Sequence, residues 1–321
     1  MSIKIFEFFN LLFVLLFSFL LSYLIISKLL NKSLLRQVER DFTLNNHIKK
    51  KGTPTSGGIV FIISILSSLI FMDDLNNSKE LIVIIISVLL FFLVGLIDDY
   101  LKTKLSSFEG LSGKIRLLLE FIITFIFMHL LNLNNTFIVL DFIDLVIPIG
   151  LLFIPLILII NVGICNAVNL SDGLDGLASG LILLSLIPFL IISLNNNIFN
   201  LSILIVSLIG SLIAFLTFNI HPAKIFMGDS GSLCLGSFIC LIAIYLAKYE
   251  TLLIVSSFFL FEALSVVIQV IYFKMTKKRI FLMAPFHHHL EKKGIPEFKI
   301  VMHIWVYQII IVIISVLMEV L

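Results

Sequence analysis

Long apolar stretches dominate this chain and leave few folds open to it. Ten of them approach or exceed the roughly 20 residues that a helix needs to cross a bilayer. They lie near 6–28, 56–72, 81–97, 115–132, 145–165, 175–194, 201–219, 232–248, 251–273 and 300–320. Only 13% of the residues are charged, against about 25% in soluble domains, and the mean hydropathy is +1.17. We therefore predict an all-α integral membrane protein with about ten transmembrane helices.

The loops between these stretches are too short to form a soluble domain. The longest lie near 29–55 and 274–299. A membrane barrel is not expected, because its strands are about ten residues long and alternate in polarity. We therefore predict a single polytopic membrane domain over residues 1–321, without strands.

Basic residues are concentrated on one side of the predicted bundle. Of the 22 Lys and Arg residues, all except Lys4, Lys79 and Lys248 fall in or beside the loops after the first, third, fifth, seventh and ninth stretches. The positive-inside rule makes that side cytoplasmic. Both termini are then expected to face outward.

Five polar segments interrupt the apolar stretches, and all five fall on the basic side. They span residues 47–58, 98–102, 166–176, 226–232 and 284–291. Acids, histidines and glycines gathered at one face of a helix bundle indicate a polar active site built from loops. No nucleic-acid partner is expected.

The second segment places Asp98 and Asp99 at the cytoplasmic end of the third helix. Adjacent carboxylates repel, so at least one should have a cationic partner or a raised pKa. Lys102 lies one helical turn further on and could supply that charge. The alternative is a solvated helix end, although acids at a helix C-terminus oppose the helix dipole.

The third segment carries three polar side chains at steps of three. On a helix, Asn169, Asp172 and Asp175 would share one face. Gly173 and Gly176 would allow tight turns or close approach of the backbone to a ligand. The alternative for Asp172 is an N-cap of the sixth helix.

The fourth segment surrounds Asp229 with glycine and serine just before the eighth helix. Small residues at a helix start leave backbone N–H groups available to an anion. An acid beside such a site suits a divalent cation that bridges to phosphate. The alternative is again an N-cap.

The fifth segment contains His287, His288 and His289 in succession. Three neighbouring residues cannot readily ligate one metal ion together, so they suit phosphate recognition or the support of a loop. In the first segment, the lysines at 49–51 are equally consistent with positive-inside charge. The turn at 52–55 and the two glycines after it are harder to explain without a function.

A few ionisable residues and thiols lie within apolar stretches. Glu262 is interpreted as lining a polar cavity, since acids inside membrane helices are usually functional. Glu120 is placed near the interface, where it would stay hydrated, and His129 is interpreted as structural. The cysteines are interpreted as small packing residues; they are Cys165, Cys234 and Cys240.

Together, the five segments resemble those of the polyprenyl-phosphate N-acetylhexosamine-1-phosphate transferases over nearly the whole chain. The run at 284–291 resembles the branch of that family that transfers phospho-MurNAc-pentapeptide. The segments differ from the family's pattern at Ser56, Ser171 and Ser230, and none of these differences removes a functional group. The resemblance implies Mg²⁺ as cofactor, UDP-MurNAc-pentapeptide and undecaprenyl phosphate as substrates, and lipid I and UMP as products. It also implies a homodimer in the bacterial inner membrane, in contact with membrane lipid.

The resemblance further implies a role for individual residues. Asp98, Asp99 and Asp229 would be catalytic, with Asp98 as the base and Asp229 as the ligand of Mg²⁺. The alternative mechanism is a two-step transfer through a covalent carboxylate intermediate. The remaining residues would bind substrate, with phosphate contacts from the lysines after Asp98 and uracil stacking on Phe226. These substrate-binding residues are Lys51, Lys102, Lys114, Asn169, Asp172, Gly173, Leu174, Asp175, Asn219, Phe226, His287, His288 and His289.

Two other functions are weighed against this interpretation. A sister enzyme that transfers N-acetylglucosamine-1-phosphate to the same lipid would use the same acids and metal, but a different histidine segment. An ion-coupled transporter would place its ionisable groups at the midplane of the membrane. Only Glu262 fits that pattern, so a transferase is favoured.

Overall fold

The structure, a computed structural model, describes residues 5–32, 52–73, 78–105, 110–133, 137–140, 142 and 144–320. Helices dominate this part of the chain. They are α1 (Ile5–Lys32), α2 (Ile59–Ser68), α3 (Lys79–Leu105), α4 (Gly113–Leu130), α5 (Phe153–Ser171), α6 (Leu177–Asn195), α7 (Phe199–Asn219), α8 (Gly228–Tyr245), α9 (Tyr249–Val255), α10 (Ser257–Thr276), α11 (Phe286–Lys292) and α12 (Glu297–Val320).

Within the described residues, eight helices are long and apolar enough to cross a membrane. The predicted class of all-α integral membrane protein is therefore confirmed. The other two predicted spans coincide with α2 and α4. Helix α2 is too short to cross alone, even with the 3-10 turn Leu69–Phe71, and α4 carries Lys114, Arg116 and Glu120. Crossing by these two helices stays a prediction.

Helices α7 and α8 form the centre of the bundle, and most of their residues are buried. Helix α8 packs against α3 and α5, while α7 packs against α1, α2 and α6. Small residues make the close contacts possible. Gly95 of α3 lies against the backbone of Asp229, and Gly236 of α8 lies against Cys165 of α5. The outer helices α1, α10 and α12 leave apolar faces exposed, as expected for helices in contact with lipid.

The predicted fifth span, 145–165, is wrong at its start. Residues Phe137–Leu140 and Leu145–Pro148 pair as the antiparallel strands β1 and β2. A 3-10 turn at Gly150–Leu152 follows, and α5 begins only at Phe153. Pro148 cannot donate a helical hydrogen bond, and Gly150 has a φ of +55°, so the helix cannot extend back through this region. The prediction that the chain has no strands is corrected by this hairpin.

The predicted ninth span is also divided. Helix α9 ends at Val255, and α10 continues from Ser257 to Thr276. The short helix α11 then contacts both α10 and α12. The described parts of the polar segments meet at one end of the bundle, where α3, α5 and α7 end and α4, α6, α8 and α12 begin.

Candidate active site

Asp98 and Asp99 are both buried in the last turns of α3. The Nζ atom of Lys102 lies 2.6 Å from Asp98 Oδ2, so the expected cationic partner is present. Asp98 Oδ1 accepts the backbone N–H of Leu111 at 2.5 Å. Asp98 is therefore a buried carboxylate held by a cation and by a backbone donor.

Asp99 faces the start of α8 instead. Its Oδ1 accepts the N–H of Asp229, and its Oδ2 accepts the N–H of Ser230, both at 3.0 Å. These N–H groups belong to the first turn of a helix, which has no intrahelical acceptors for them. Asp99 thus fixes the turn that carries Asp229. The N-cap position is occupied by Met227, so the N-cap interpretation of Asp229 is wrong.

Asp229 lies at the centre of the polar cluster. Lys102 Nζ donates to its Oδ2 at 2.7 Å, and Arg116 Nη1 donates to the same oxygen at 3.2 Å. Asn169 Nδ2 donates to Asp229 Oδ1 at 3.0 Å and also contacts Ser232 Oγ at 2.8 Å. The structure therefore joins α3, α4, α5 and α8 at one carboxylate.

Sequence reasoning missed Arg116 at this site, and it gave no individual role to Asn166, the first residue of the third segment. Arg116 Nη2 donates to Asn166 Oδ1 at 3.0 Å, and Asn166 Nδ2 donates to Glu120 Oε2 at 2.5 Å. Glu120 is fully buried, so the expectation of a hydrated side chain is wrong. The spacing of four residues between Arg116 and Glu120 was the available sequence signal, because such residues are neighbours on a helix.

The turn between α5 and α6 holds the third segment, but not as one helical face. Helix α5 ends at Ser171 with Asp172 as its C-cap, and the N-cap of α6 is Gly176. The proposed N-cap role of Asp172 is therefore wrong. Gly176 has a φ of +78°, a conformation that interrupts a continuous helix. Asn169 faces Asp229, whereas Asp175 faces a separate group of side chains.

That second group joins the turn to α12 and to the loop before α8. The N–H of Asp175 donates to Glu297 Oε1 at 2.6 Å, and Asp175 Oδ2 lies 3.0 Å from His221 Nδ1. His221 Nδ1 is also 3.6 Å from Glu297 Oε2. Asn219 Oδ1 accepts from Gly176 N at 3.1 Å, which adds the end of α7. Leu174, within the same turn, is buried.

The three consecutive histidines have three different environments. His287 is fully buried, with Nδ1 3.2 Å from Glu262 Oε2, and its N–H donates to Glu262 Oε1 at 3.1 Å. His288 Nδ1 lies 2.6 Å from Glu291 Oε2. Both imidazoles lie against Gly173, where a Cβ atom would collide with His287 Nε2. The histidine segment thus supports the turn that was predicted to bind the nucleotide.

His289 turns away from Gly173. Its Nδ1 accepts the N–H of Leu282 at 3.0 Å, and its ring packs on Phe281 and Phe286. Partial desolvation and the charge of Lys293 lower its pKa. A neutral ring is required for Nδ1 to accept this bond.

The first segment contributes mainly backbone. The N–H groups of Gly57 and Gly58 donate to the carbonyls of Phe226 and Met227, at 2.9 and 3.1 Å. A Cβ at Gly58 would overlap the backbone of Gly231. The predicted site residue Lys51 lies outside the described residues. Lys114 is exposed on α4, and the partly buried Phe226 lies in the loop before α8.

This arrangement suits chemistry at a pyrophosphate. Two cations and a helix start surround the Asp229 carboxylate, which gives charges able to bind phosphate and oxygens able to bind a hard metal ion. The nearby turn with His287, His288 and Asp175 offers a second polar surface. The same end of the bundle therefore presents two polar surfaces.

Comparison with known proteins assigns the family. Residues 81–247 match the family model described as glycosyl transferase family 4. A phospho-N-acetylmuramoyl-pentapeptide-transferase of Caldicellulosiruptor bescii is 39% identical over 276 residues, which are 85% of each chain. Proteins of the same name from Bacillus subtilis and Buchnera aphidicola are 40% identical, over 86% and 87% of this chain and 86% and 84% of their own. The chain therefore belongs to glycosyl transferase family 4, in the branch of the phospho-N-acetylmuramoyl-pentapeptide transferases.

Proposed function

We propose that the chain transfers phospho-MurNAc-pentapeptide from UDP-MurNAc-pentapeptide to undecaprenyl phosphate, giving lipid I and UMP. The observation that carries the proposal is the Asp229 carboxylate, held by Lys102 and Arg116 at the meeting point of four helices. Relatives that bear the name of this activity match the chain over this whole region.

The reaction joins two anions, and this sets the task of the site. An oxygen of the lipid phosphate forms a bond to the sugar-linked phosphorus of the donor. The bond from that phosphorus to the bridging oxygen breaks, and UMP leaves with the electron pair. Catalysis of phosphoryl transfer depends mainly on neutralising charge and aligning the reacting groups. Lys102 and Arg116 provide that positive charge.

The residues around Asp229 fit Mg²⁺. This ion prefers oxygen ligands, and it is commonly held by one or two carboxylates together with substrate phosphates. Asp229 is the proposed ligand, and Asp98 Oδ2 is close enough to share Lys102 with it. When bound, the metal would neutralise charge on the pyrophosphate.

A second group of possible ligands fits Mg²⁺ less well. Asp175, His221 and Glu297 bring one ligand atom each within 4.8 Å of one another. An imidazole nitrogen favours transition metals over Mg²⁺. We therefore assign this group to the support of the turn.

The two acids of α3 take different roles in this proposal. Asp98 is the proposed base for a lipid phosphate that still carries a proton, since its Oδ2 faces Lys102 and the Asp229 cluster. Asp99 uses both oxygens to hold the first turn of α8 and is therefore a positioning residue.

The donor is proposed to lie between Asp229 and the turn at 172–176. Phe226 offers a ring for uracil, and Asn219 and Asp175 shape the turn through bonds to Gly176 and Ala223. Lys51, Asp172, Gly173 and Leu174 complete this side, as the resemblance implies. His287 and His288 would act near the sugar or pyrophosphate through the turn that they support.

The lipid substrate needs an apolar path that ends near phosphate-binding charges. A groove beside α10 is lined by the apolar residues Val266, Val270 and Phe273, together with the basic residues Lys274 and Arg279. It reaches Ala284, three residues before His287. This groove combines an apolar wall with basic residues near the site.

The location of the protein follows from both substrates. The chain is a multi-pass membrane protein, and we place it in the bacterial cytoplasmic membrane with the site facing the cytoplasm. Lipid phosphate cannot leave the bilayer and the nucleotide cannot enter it, so the reaction belongs at the interface. The homodimer stays a prediction, which mass measurement of the detergent-solubilised protein tests.

The experiment is transfer in detergent with undecaprenyl phosphate and Mg²⁺, followed by release of UMP. UDP-MurNAc-pentapeptide is compared with UDP-N-acetylglucosamine. We expect UMP from the muramyl donor alone. Release from the glucosamine donor alone would move the protein to the sister activity. Release from neither, by folded protein, would reject the transferase and restore the transporter alternative.

A further inference from the structure

We infer that Arg116, and not Lys114, is the residue of α4 that binds the pyrophosphate of the nucleotide donor. The inference rests on the proposed function and assigns a substrate contact within it. The resemblance implies phosphate contacts by Lys102 and Lys114, so on α4 it points to Lys114. The structure separates Arg116 from Lys114, because they lie two positions apart on one helix and cannot share a face.

The position of Arg116 supports the assignment. Its Nη1 is 3.2 Å from Asp229 Oδ2 and 4.0 Å from Asp98 Oδ2, so it lies between the two proposed catalytic carboxylates. Lys102 reaches the same two oxygens from α3. A phosphate group placed beside Asp229 would therefore meet a cation from each of two helices.

The support behind Arg116 indicates a side chain that is held in place. Its Nη2 donates to Asn166 Oδ1 at 3.0 Å, and Asn166 Nδ2 donates to the buried Glu120 at 2.5 Å. Arg116 Nε is 3.7 Å from the other oxygen of Glu120. A buried carboxylate is costly unless it is paired. Glu120 and Asn166 are thus positioning residues that direct the guanidinium toward Asp229.

The chemistry of the two cations differs as well. A guanidinium is planar and presents several N–H donors, so it can bind Asn166 and a phosphate oxygen at the same time. Lys114 is exposed on α4, and the described contacts of the acidic cluster do not include it. It fits a place near lipid headgroups better than a place in the pyrophosphate site.

The test measures nucleotide binding by the full-length protein in detergent, with Mg²⁺ present. Titration calorimetry gives the Kd of UDP, and saturation-transfer NMR follows uridine, which has the base and ribose but no phosphate. The variants are Arg116→Gln, Arg116→Lys and Lys114→Gln. Lys104→Gln is the matched control, since Lys104 is exposed in the last turn of α3 and loses the same charge.

We expect Arg116→Gln to weaken UDP binding by roughly tenfold or more, the effect of losing a charge-assisted hydrogen bond. Uridine binding should not change in this variant. The Kd of UDP for Arg116→Lys should lie between those of the wild type and Arg116→Gln, because lysine keeps the charge but lacks the planar N–H donors of the guanidinium. Lys114→Gln should change the Kd of UDP by less than threefold, and Lys104→Gln should match the wild type.

The outcomes separate this inference from the proposed function. Suppose that the wild type releases UMP and binds UDP, and that Arg116→Gln binds UDP equally well. This result would overturn the inference about Arg116 and leave the proposed function standing. A larger loss in Lys114→Gln than in Arg116→Gln would return the role to Lys114. An equal loss of UDP and uridine in both Arg116 variants would make Arg116 structural. Wild-type protein that binds no UDP and releases no UMP would overturn both.

Discussion

Single residues in this protein take roles that their sequence neighbours do not share. His287, His288 and His289 follow one another, yet they contact Glu262, Glu291 and the N–H of Leu282 respectively. The short helix α11 turns each side chain by about 100° from the last, so three adjacent residues meet three surroundings. The three identical residues therefore have different roles. His287 is buried against Glu262, His288 lies beside the turn at Gly173, and His289 holds the loop at Leu282.

The anchor can be tested at Glu262. Glu262→Ala would leave the buried N–H of His287 without its acceptor, which costs about 1–3 kcal/mol. We expect a lower unfolding temperature in detergent and at least a tenfold loss of UMP release, because the turn at Gly173 loses its support. Glu262→Gln keeps an oxygen that can accept the N–H of His287. Its unfolding temperature and its UMP release should lie between those of the wild type and Glu262→Ala. Equal stability and activity of Glu262→Ala and the wild type would contradict the assignment.

Asp229 is the residue on which the proposed chemistry depends most. Asp229→Asn keeps the size of the side chain and removes the charge that Lys102 and Arg116 face. We expect UMP release to fall by at least a hundredfold, while the protein still inserts and unfolds cooperatively. Activity within threefold of the wild type at saturating Mg²⁺ would exclude Asp229 as the metal ligand.

At the scale of elements, α8 reaches the site because glycines let neighbouring helices approach it. A Cβ at Gly95 of α3 would collide with the backbone of Asp229 and Ser230. Gly58, at the start of α2, makes a similar contact with Gly231. The first turn of α8 is thereby clamped between α3 and the start of α2. These two contacts fix the position of the Asp229 carboxylate.

Two glycines within helices give a matched test of this clamp. Gly95→Ala should lower stability by about 1–3 kcal/mol through overpacking, and it should reduce UMP release more than tenfold by displacing Asp229. Gly163 of α5 has nothing within 4 Å of its Cβ position. Gly163→Ala should therefore leave activity unchanged and stability equal or slightly higher. Similar behaviour of the two variants would contradict the clamp.

The helices and their polar ends could be predicted from the sequence, since hydropathy and charge carry that information directly. The sequence could not predict which side chains of each helix face the site. Arg116 and Lys114 are both cations near the start of α4, and only packing decides that Arg116 faces Asp229. The hairpin Phe137–Leu140 with Leu145–Pro148 was also missed, because short apolar strands and the start of an apolar helix look alike in sequence.

Across the whole molecule, the described members of the acidic, histidine and glycine segments lie at one end of the bundle. Charge patterning predicts that this end is cytoplasmic, and the buried native cysteines make a labelling test possible. Lys104→Cys lies at this end and Asn196→Cys at the other, and both positions are exposed. A maleimide that cannot cross membranes should label Asn196→Cys in intact cells. It should label Lys104→Cys only after permeabilisation, and the reverse pattern would invert the topology.

The hydrogen bond from Asp175 to Glu297 has a consequence for biosynthesis. The acceptor lies at the start of α12, more than a hundred residues after its donor. Ribosomes deliver helices to the membrane in order, so the central bundle can assemble while the turn at 172–176 still lacks this acceptor. If this turn holds the nucleotide substrate as proposed, its binding site would be complete only after α12 has been made.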